Sequence, residues 1–113
     1  MDYKRAIEIL NEYGFTTVDR GKYYIPICWN NVIVLWIEKV FNLHELILKI
    51  RDVSAFKKAN PNNLNNFDPS LIGSFRIDKT EEKYLREQCE KNLAKAKKWY
   101  EQDQINMARK DFL

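Results

Sequence analysis

The spacing of apolar and polar positions changes repeatedly along the chain, and each change marks an element. Tyr3, Ala6, Ile7 and Leu10 recur at i, i+3, i+4 and i+7, one stripe of a helix. Asp2 stands where a capping side chain accepts from the first turn. Gly14 stands where a left-handed residue ends a helix, and Phe15 is placed to fold back on Leu10. Together these predict a helix over residues 3 to 13. Phe15-Thr16-Thr17-Val18 has the β-branched and aromatic make-up of a strand, and Asp19 to Lys22 reads as a turn. Tyr23, Ile25 and Ile27 then alternate with Tyr24, Pro26 and Cys28. Pro26 has no N–H to give to a ladder, which predicts an edge or bulged strand. Trp29-Asn30-Asn31 reads as the next turn, since asparagine tolerates positive φ.

The most apolar run follows: Val32-Ile33-Val34-Leu35-Trp36-Ile37. On an extended strand Val32, Val34 and Trp36 point one way and Ile33, Leu35 and Ile37 the other. Both sets are apolar, so the strand needs cover on both sides. The competing reading coils residues 31 to 41 into a helix capped by Asn30. The density of β-branched side chains argues against it.

Asn42-Leu43-His44-Glu45 has the form of a capping box. Leu43, Leu46, Ile47 and Ile50 supply a helical stripe behind it, so a second helix is expected from about residue 43. It ends near Asp52 or runs on to Ala59, and Asn60-Pro61 stops it in either case. Residues 60 to 66, rich in Asn, read as a loop. Asp68-Pro69-Ser70 reads as a short helical turn, and Ser74 to Ile77 as a brief strand or an extended connector. Asp78-Lys79-Thr80-Glu81 is a further capping box. It opens the longest element, a helix running toward Lys110 with Leu85, Cys89, Leu93, Ala96 and Tyr100 in one stripe. The stripe breaks at Glu101 to Gln104 and resumes on another face with Ile105, Ala108 and Phe112. A helix of that length, about 45 Å at ~1.5 Å per residue, must protrude, bend, or pack on a second copy or a partner.

The expected architecture is therefore a single α+β domain over residues 1–113. An antiparallel three- to four-stranded meander packs with two shorter helices and one long C-terminal helix. Residues 1–59 form a helix-meander-helix unit, 60–77 an Asn/Pro-rich loop and connector, and 78–113 the long helix. Helices are expected to share the two sides of the central strand.

Composition narrows the class. A hydrophobic fraction of 45% with 13% aromatics excludes intrinsic disorder for most of the chain. The net charge of +3 is too small to imply a nucleic-acid or membrane partner by itself. The excess lies in the second half, at Lys57-Lys58 and Lys91 to Lys98. Two cysteines, Cys28 and Cys89, show no metal or redox spacing and point to a reducing cytoplasm. No leader pattern is evident in Met1 to Arg5, and no apolar run approaches the ~20 residues that span a bilayer.

Candidate chemistry is sparse. His44 is the only histidine, expected to face solvent in the first turn of the second helix, and no partner set for catalysis or zinc accompanies it. Cys28 and Cys89 read as inert, largely buried thiols. Gly14, Gly21 and Gly73 are isolated, so no phosphate-cradling loop is present. No catalytic residue, metal or cofactor is expected, and the chain reads as a non-enzyme. Aromatic side chains exceed what so small a core obviously needs. Tyr23, Tyr24, Trp29, Trp99 and Tyr100 are the candidate partner-binding residues. The leading expectation is a protein-binding module that acts by occupying a surface. The small, loop-bearing, AT-rich character suits a phage or mobile-element inhibitor or regulator of a host system. The alternative is a nucleic-acid binder using Lys91, Lys95, Lys97, Lys98 and Arg109, with aromatic rings at Trp99-Tyr100 for unpaired bases. A homodimer through the long helix is a further expectation.

Overall fold

The computed structural model describes residues 1–17, 23–58 and 71–110. Helix α1 (Tyr3–Glu12) is followed by strands β1 (Thr16–Thr17), β2 (Tyr24–Trp29), β3 (Val32–Asn42), β4 (Glu45–Lys58) and β5 (Leu71–Arg76). A 3-10 turn (Ile77–Lys79) then leads into helix α2 (Glu82–Lys110). The strands form one antiparallel meander in sequence order. The α+β class and the meander agree with the sequence reading. The strand count is five, and there is one short helix rather than two.

Helix α1 is built from the signals that predicted it. Asp2 Oδ1 accepts from Arg5 N at 2.7 Å. Gly14 takes φ +83°, and the N–H groups of Gly14 and Phe15 return to the carbonyls of Asn11 and Leu10. Asn30 and Asn31 both take positive φ, 49° and 60°. That is the backbone of a two-residue hairpin turn whose twist matches its strands. It joins β2 to β3 at the Trp29–Val32 pair.

The expected second helix does not form. Residues 45–58 are strand β4, paired with β3 from Asn42–Glu45 to Val32–Lys58. The sequence satisfies two periods at once. Leu46, Ile47 and Ile50 fit a helical stripe, but Leu46, Leu48 and Ile50 also alternate as a strand requires. Tertiary demand decides between them: β3 runs eleven residues and needs a partner on its second edge. The apparent capping box becomes the hairpin turn, where Asn42 Oδ1 accepts from Leu43 N at 2.9 Å. His44 is exposed, in this turn rather than in a helix. The next box is displaced too. Asp78 lies in the 3-10 turn, Thr80 Oγ1 donates to Arg76 O at 2.6 Å, and α2 starts at Glu82. The predicted loop at 60–66 and the turn at 68–70 lie outside the described residues.

The run Val32 to Ile37 is extended, and every residue in it is buried. Its facing differs from simple alternation. Val34 is a bulge: Ile27 and Cys28 pair with Leu35 and Ile33, skipping it. The bulge flips the phase. Val32, Val34, Leu35 and Ile37 all join the main core with Ile25, Ile27 and Ile50, while Ile33 and Trp36 join Cys28 and Val53 in a smaller cluster. The helices do not share the two sides. Ala6, Ile9 and Leu10 of α1 and Leu85, Cys89 and Ala96 of α2 all belong to the main core, and neither helix contributes to the smaller cluster. On the Trp36 side, Arg51 ties three strands together, donating to Glu38 of β3 at 3.1 Å and to Gly73 O of β5 at 3.3 Å.

Helix α2 is continuous for 29 residues. Its first four turns lie against α1, joined by Arg5 to Glu82 and by Arg86 to Glu12 at 2.6 Å. Asn92 is buried and satisfied, donating to Gln88 O at 2.8 Å. From Gln104 onward every described residue of the helix is exposed. The radius of gyration is 15.1 Å and the longest axis 57 Å, against about 13 Å expected for a compact chain of this length. Protrusion, rather than folding back, is how the long helix is accommodated.

Candidate functional site

Among the described residues two apolar surfaces stand out, at opposite ends of the β3–β4 hairpin. The first is the closed end of the hairpin. Phe41 and Leu46 are cross-strand partners there, and Leu43 is in the turn. Phe41 is 65% exposed, Leu43 91%, Leu46 50% and Tyr23 60%. The Tyr23 ring meets Phe41 edge-on with centroids 6.4 Å apart. Tyr23 is held there because its carbonyl accepts from Lys39 N at 2.7 Å, extending the β2–β3 ladder by one rung. Tyr24 packs edge-on against Trp36 at 6.1 Å and keeps one side in water. Charges rim this end: Arg76 reaches Glu45 at 3.3 Å and Asp78 at 2.7 Å.

Beside the hairpin end runs an open cleft of about 440 Å³ lined by Tyr23, Tyr24, Glu38, Lys39, Val40 and Phe41. The side chains of the hairpin end cluster by cross-strand pairing, and nothing among the described residues covers them. Isolated exposed apolar residues are ordinary, but a contiguous cluster of four is the pattern of a contact surface.

The second surface is a groove of about 570 Å³ between β4 and α2. Its origin is a large bulge. Ile33 pairs with Lys57 and Leu35 with Asp52, so Val34 alone faces Val53 to Phe56. Within this irregular stretch, where Val53 still pairs with Leu71 of β5, Val53, Ala55 and Phe56 with Ile72 form one wall. Lys95, Lys98, Trp99 and Gln102, spaced i, i+3, i+4 and i+7 on α2, form the other. Phe56 and Trp99 meet edge-on at 6.5 Å across the floor. Farther along, Lys58 Nζ lies 3.0 Å from Asp103 Oδ2 and 3.5 Å from Met107 Sδ, fixing the strand end to the helix.

The candidate partner-binding residues are thus dispersed. Tyr23 and Tyr24 stand at the hairpin end. Trp99 lines the groove. Trp29 and Tyr100 pack against each other at 5.9 Å and on the main core. Phe41, Leu43 and Leu46 were missed because a strand turn had been read as a helix start, which put Leu43 and Leu46 on a buried face. The signal that finds Phe41 and Leu46 is the strand alternation of Leu46, Leu48 and Ile50, paired with Phe41, Lys39 and Ile37.

The basic candidates are more nearly gathered: four of the five share one side of α2. At 3.6 residues per turn Lys91, Lys95, Lys98 and Arg109 fall within about 60° of one another, while Lys97 faces elsewhere. All five are exposed. Both thiols are buried, which pushes Cys28 up to about 11 and Cys89 up to about 12. Neither is a ready nucleophile at neutral pH. Among the described residues no group of three or more His, Cys, Asp or Glu gathers at metal-binding distance, and no helix is long and apolar enough to cross a membrane.

Comparison with protein-family models, curated proteins and solved structures returned no match. The functional reading therefore rests on geometry.

Proposed function

We propose that this chain is a protein-binding module whose contact surface is the closed end of the β3–β4 hairpin. The observation that carries the reading is the exposure of Phe41, Leu43 and Leu46 at the closed end of the hairpin, with the Tyr23 ring against Phe41. None of the four belongs to the main core or to the smaller cluster. An exposed apolar knob rimmed by charge fits a folded partner that offers an apolar surface of its own. Burying Leu43 alone against such a surface contributes about 1.5–3 kcal/mol, roughly ten- to a hundredfold in Kd.

The test compares the immobilised wild-type chain with a Phe41→Ser, Leu43→Ser variant as baits in extracts of the source cells. The reading expects a protein retained by the wild type and lost by the variant, with both melting at the same temperature. A retained set identical for the two baits overturns it. Concentration-dependent dimerisation that the variant abolishes assigns the knob to a second copy of the chain instead.

Binding to nucleic acid is less well supported. Lys97 is turned away from Lys91, Lys95 and Lys98, and Trp99 is engaged with Phe56 instead of projecting as a stacking platform.

A further inference from the structure

The groove between β4 and α2 is distinct from the hairpin end, about 26 Å away along β3 at ~3.3 Å per residue. We infer that it is a binding site for a small anionic amphiphile: an apolar body of alkyl or aromatic carbon bearing one carboxylate, sulfonate or phosphate. Three observations converge. The volume, about 570 Å³, lies within the range of ligand clefts, roughly 300–1,000 Å³. Its walls are apolar and aromatic, from Val53, Ala55, Phe56, Ile72 and Trp99. Ile72 is 67% exposed although it borders the groove, so this wall is open to an incoming ligand. At the mouth stand Lys95 and Lys98, one helical turn apart, and neither has an ion-pair partner among the described residues. Lys58, nearby at the end of β4, is already engaged by Asp103.

The division of labour follows from chemistry. The carbon body displaces water from Phe56, Ile72 and Trp99. The anion lies between two ammonium groups that it bridges, and Gln102 and Ser54 offer neutral hydrogen bonds beside them. A neutral ligand of the same shape gains the first contribution without the second. The mouth therefore selects for charge while the walls select for carbon. The irregular stretch of β4 supplies the strand-side wall of the site.

The test titrates the whole protein with decanoate and with decanol, following displacement of the fluorescent anion 1-anilinonaphthalene-8-sulfonate. Decanoate should bind saturably at one site per chain and better than decanol. Lys95→Gln with Lys98→Gln should weaken decanoate about tenfold and leave decanol unchanged. Lys91→Gln, on the same side of α2 but outside the groove, serves as the control for general attraction and should have no effect. The Phe41→Ser, Leu43→Ser variant should bind decanoate normally, so failure of the hairpin reading and failure of this one are separable. All these positions are exposed, and a melt verifies that each variant folds. Equal affinity for decanoate in the double lysine variant overturns the site. So does an equal loss in Lys91→Gln, or no saturable binding.

Discussion

Leu35 and Trp36 are neighbours in sequence that face opposite sides of the sheet. Each is at most 2% exposed. Leu35 pairs with Ile27 and belongs to the main core beneath both helices. Trp36 belongs to the smaller cluster with Ile33, Cys28 and Val53, with the Tyr24 ring at 6.1 Å. Truncating a buried leucine to alanine costs about 2–5 kcal/mol, and a buried tryptophan about 3–5 kcal/mol. The stability of a domain this size is about 5–15 kcal/mol in total, so either change removes a large share. With a urea dependence of about 2 kcal/mol per molar, a loss of 3–4 kcal/mol lowers the midpoint by roughly 1.5–2 M. Equilibrium urea unfolding of Leu35→Ala and Trp36→Ala should show both shifts. If the sheet were covered on the helix side alone, Trp36→Ala would cost less than about 1 kcal/mol, as exposed substitutions do. That result would refute the two-sided burial of β3.

Other expectations can be checked by the same melts. Gly14→Ala should destabilise by about 1–2 kcal/mol through its left-handed backbone alone, because an added methyl would meet Trp29 at an ordinary 3.8 Å. Arg51→Ala should cost about 1–3 kcal/mol, since it strips a hydrogen bond from half-buried Glu38 and one from Gly73 O. Arg5 and Arg86 hold the Glu82 and Glu12 carboxyls below the ordinary range, and Arg76 does the same to Asp78. A lowered folded-state pKa contributes stability that is complete above the unfolded value and fades as pH falls through the folded one. The melting temperature should therefore drop on acidification below the ordinary carboxylate range. Arg5→Gln with Arg86→Gln should flatten that dependence, and an unchanged slope would show that the pairs between the helices do not set it. Ile105→Ser should leave the melting temperature within the error of the measurement, as Ile105 stands exposed on the protruding end of α2.

Local signals were legible where they had one meaning. Asp2, Gly14 and the stripe from Tyr3 to Leu10 admit only a helix, and the structure has it. Asn30-Asn31 could cap a helix or make a turn, and the β-branched density behind it decided correctly for the turn. Residues 42–50 carried two meanings, because Asn42 with Glu45 makes both a capping box and a hairpin closure. Only the unpaired edge of β3, a long-range fact, decides for the strand. The bulge at Val34 was likewise invisible, since six apolar residues in a row give no phase to read. Facing assignments for Leu35 and Trp36 turn on that bulge. The same limit hid both candidate surfaces. The knob needs the hairpin, and the groove needs the register shift between β3 and β4 at residues 53–56. Lys95, Lys98 and Trp99 stood out as a basic and aromatic cluster, but the wall opposite them lies some forty residues away in sequence. Tyr23 and Tyr24 were recognisable as surplus aromatics beside a proline-bearing strand.

Photo-crosslinking from position 43 tests the proposed contact surface most directly. A benzophenone side chain placed there in the otherwise native protein, with an equivalent probe at position 105 for comparison, is irradiated in extracts of the source cells. The account predicts one discrete cross-linked protein from position 43, lost when Phe41→Ser is added, and none from position 105. Cross-links from position 105 alone, or from position 43 only to another copy of the chain, would contradict it.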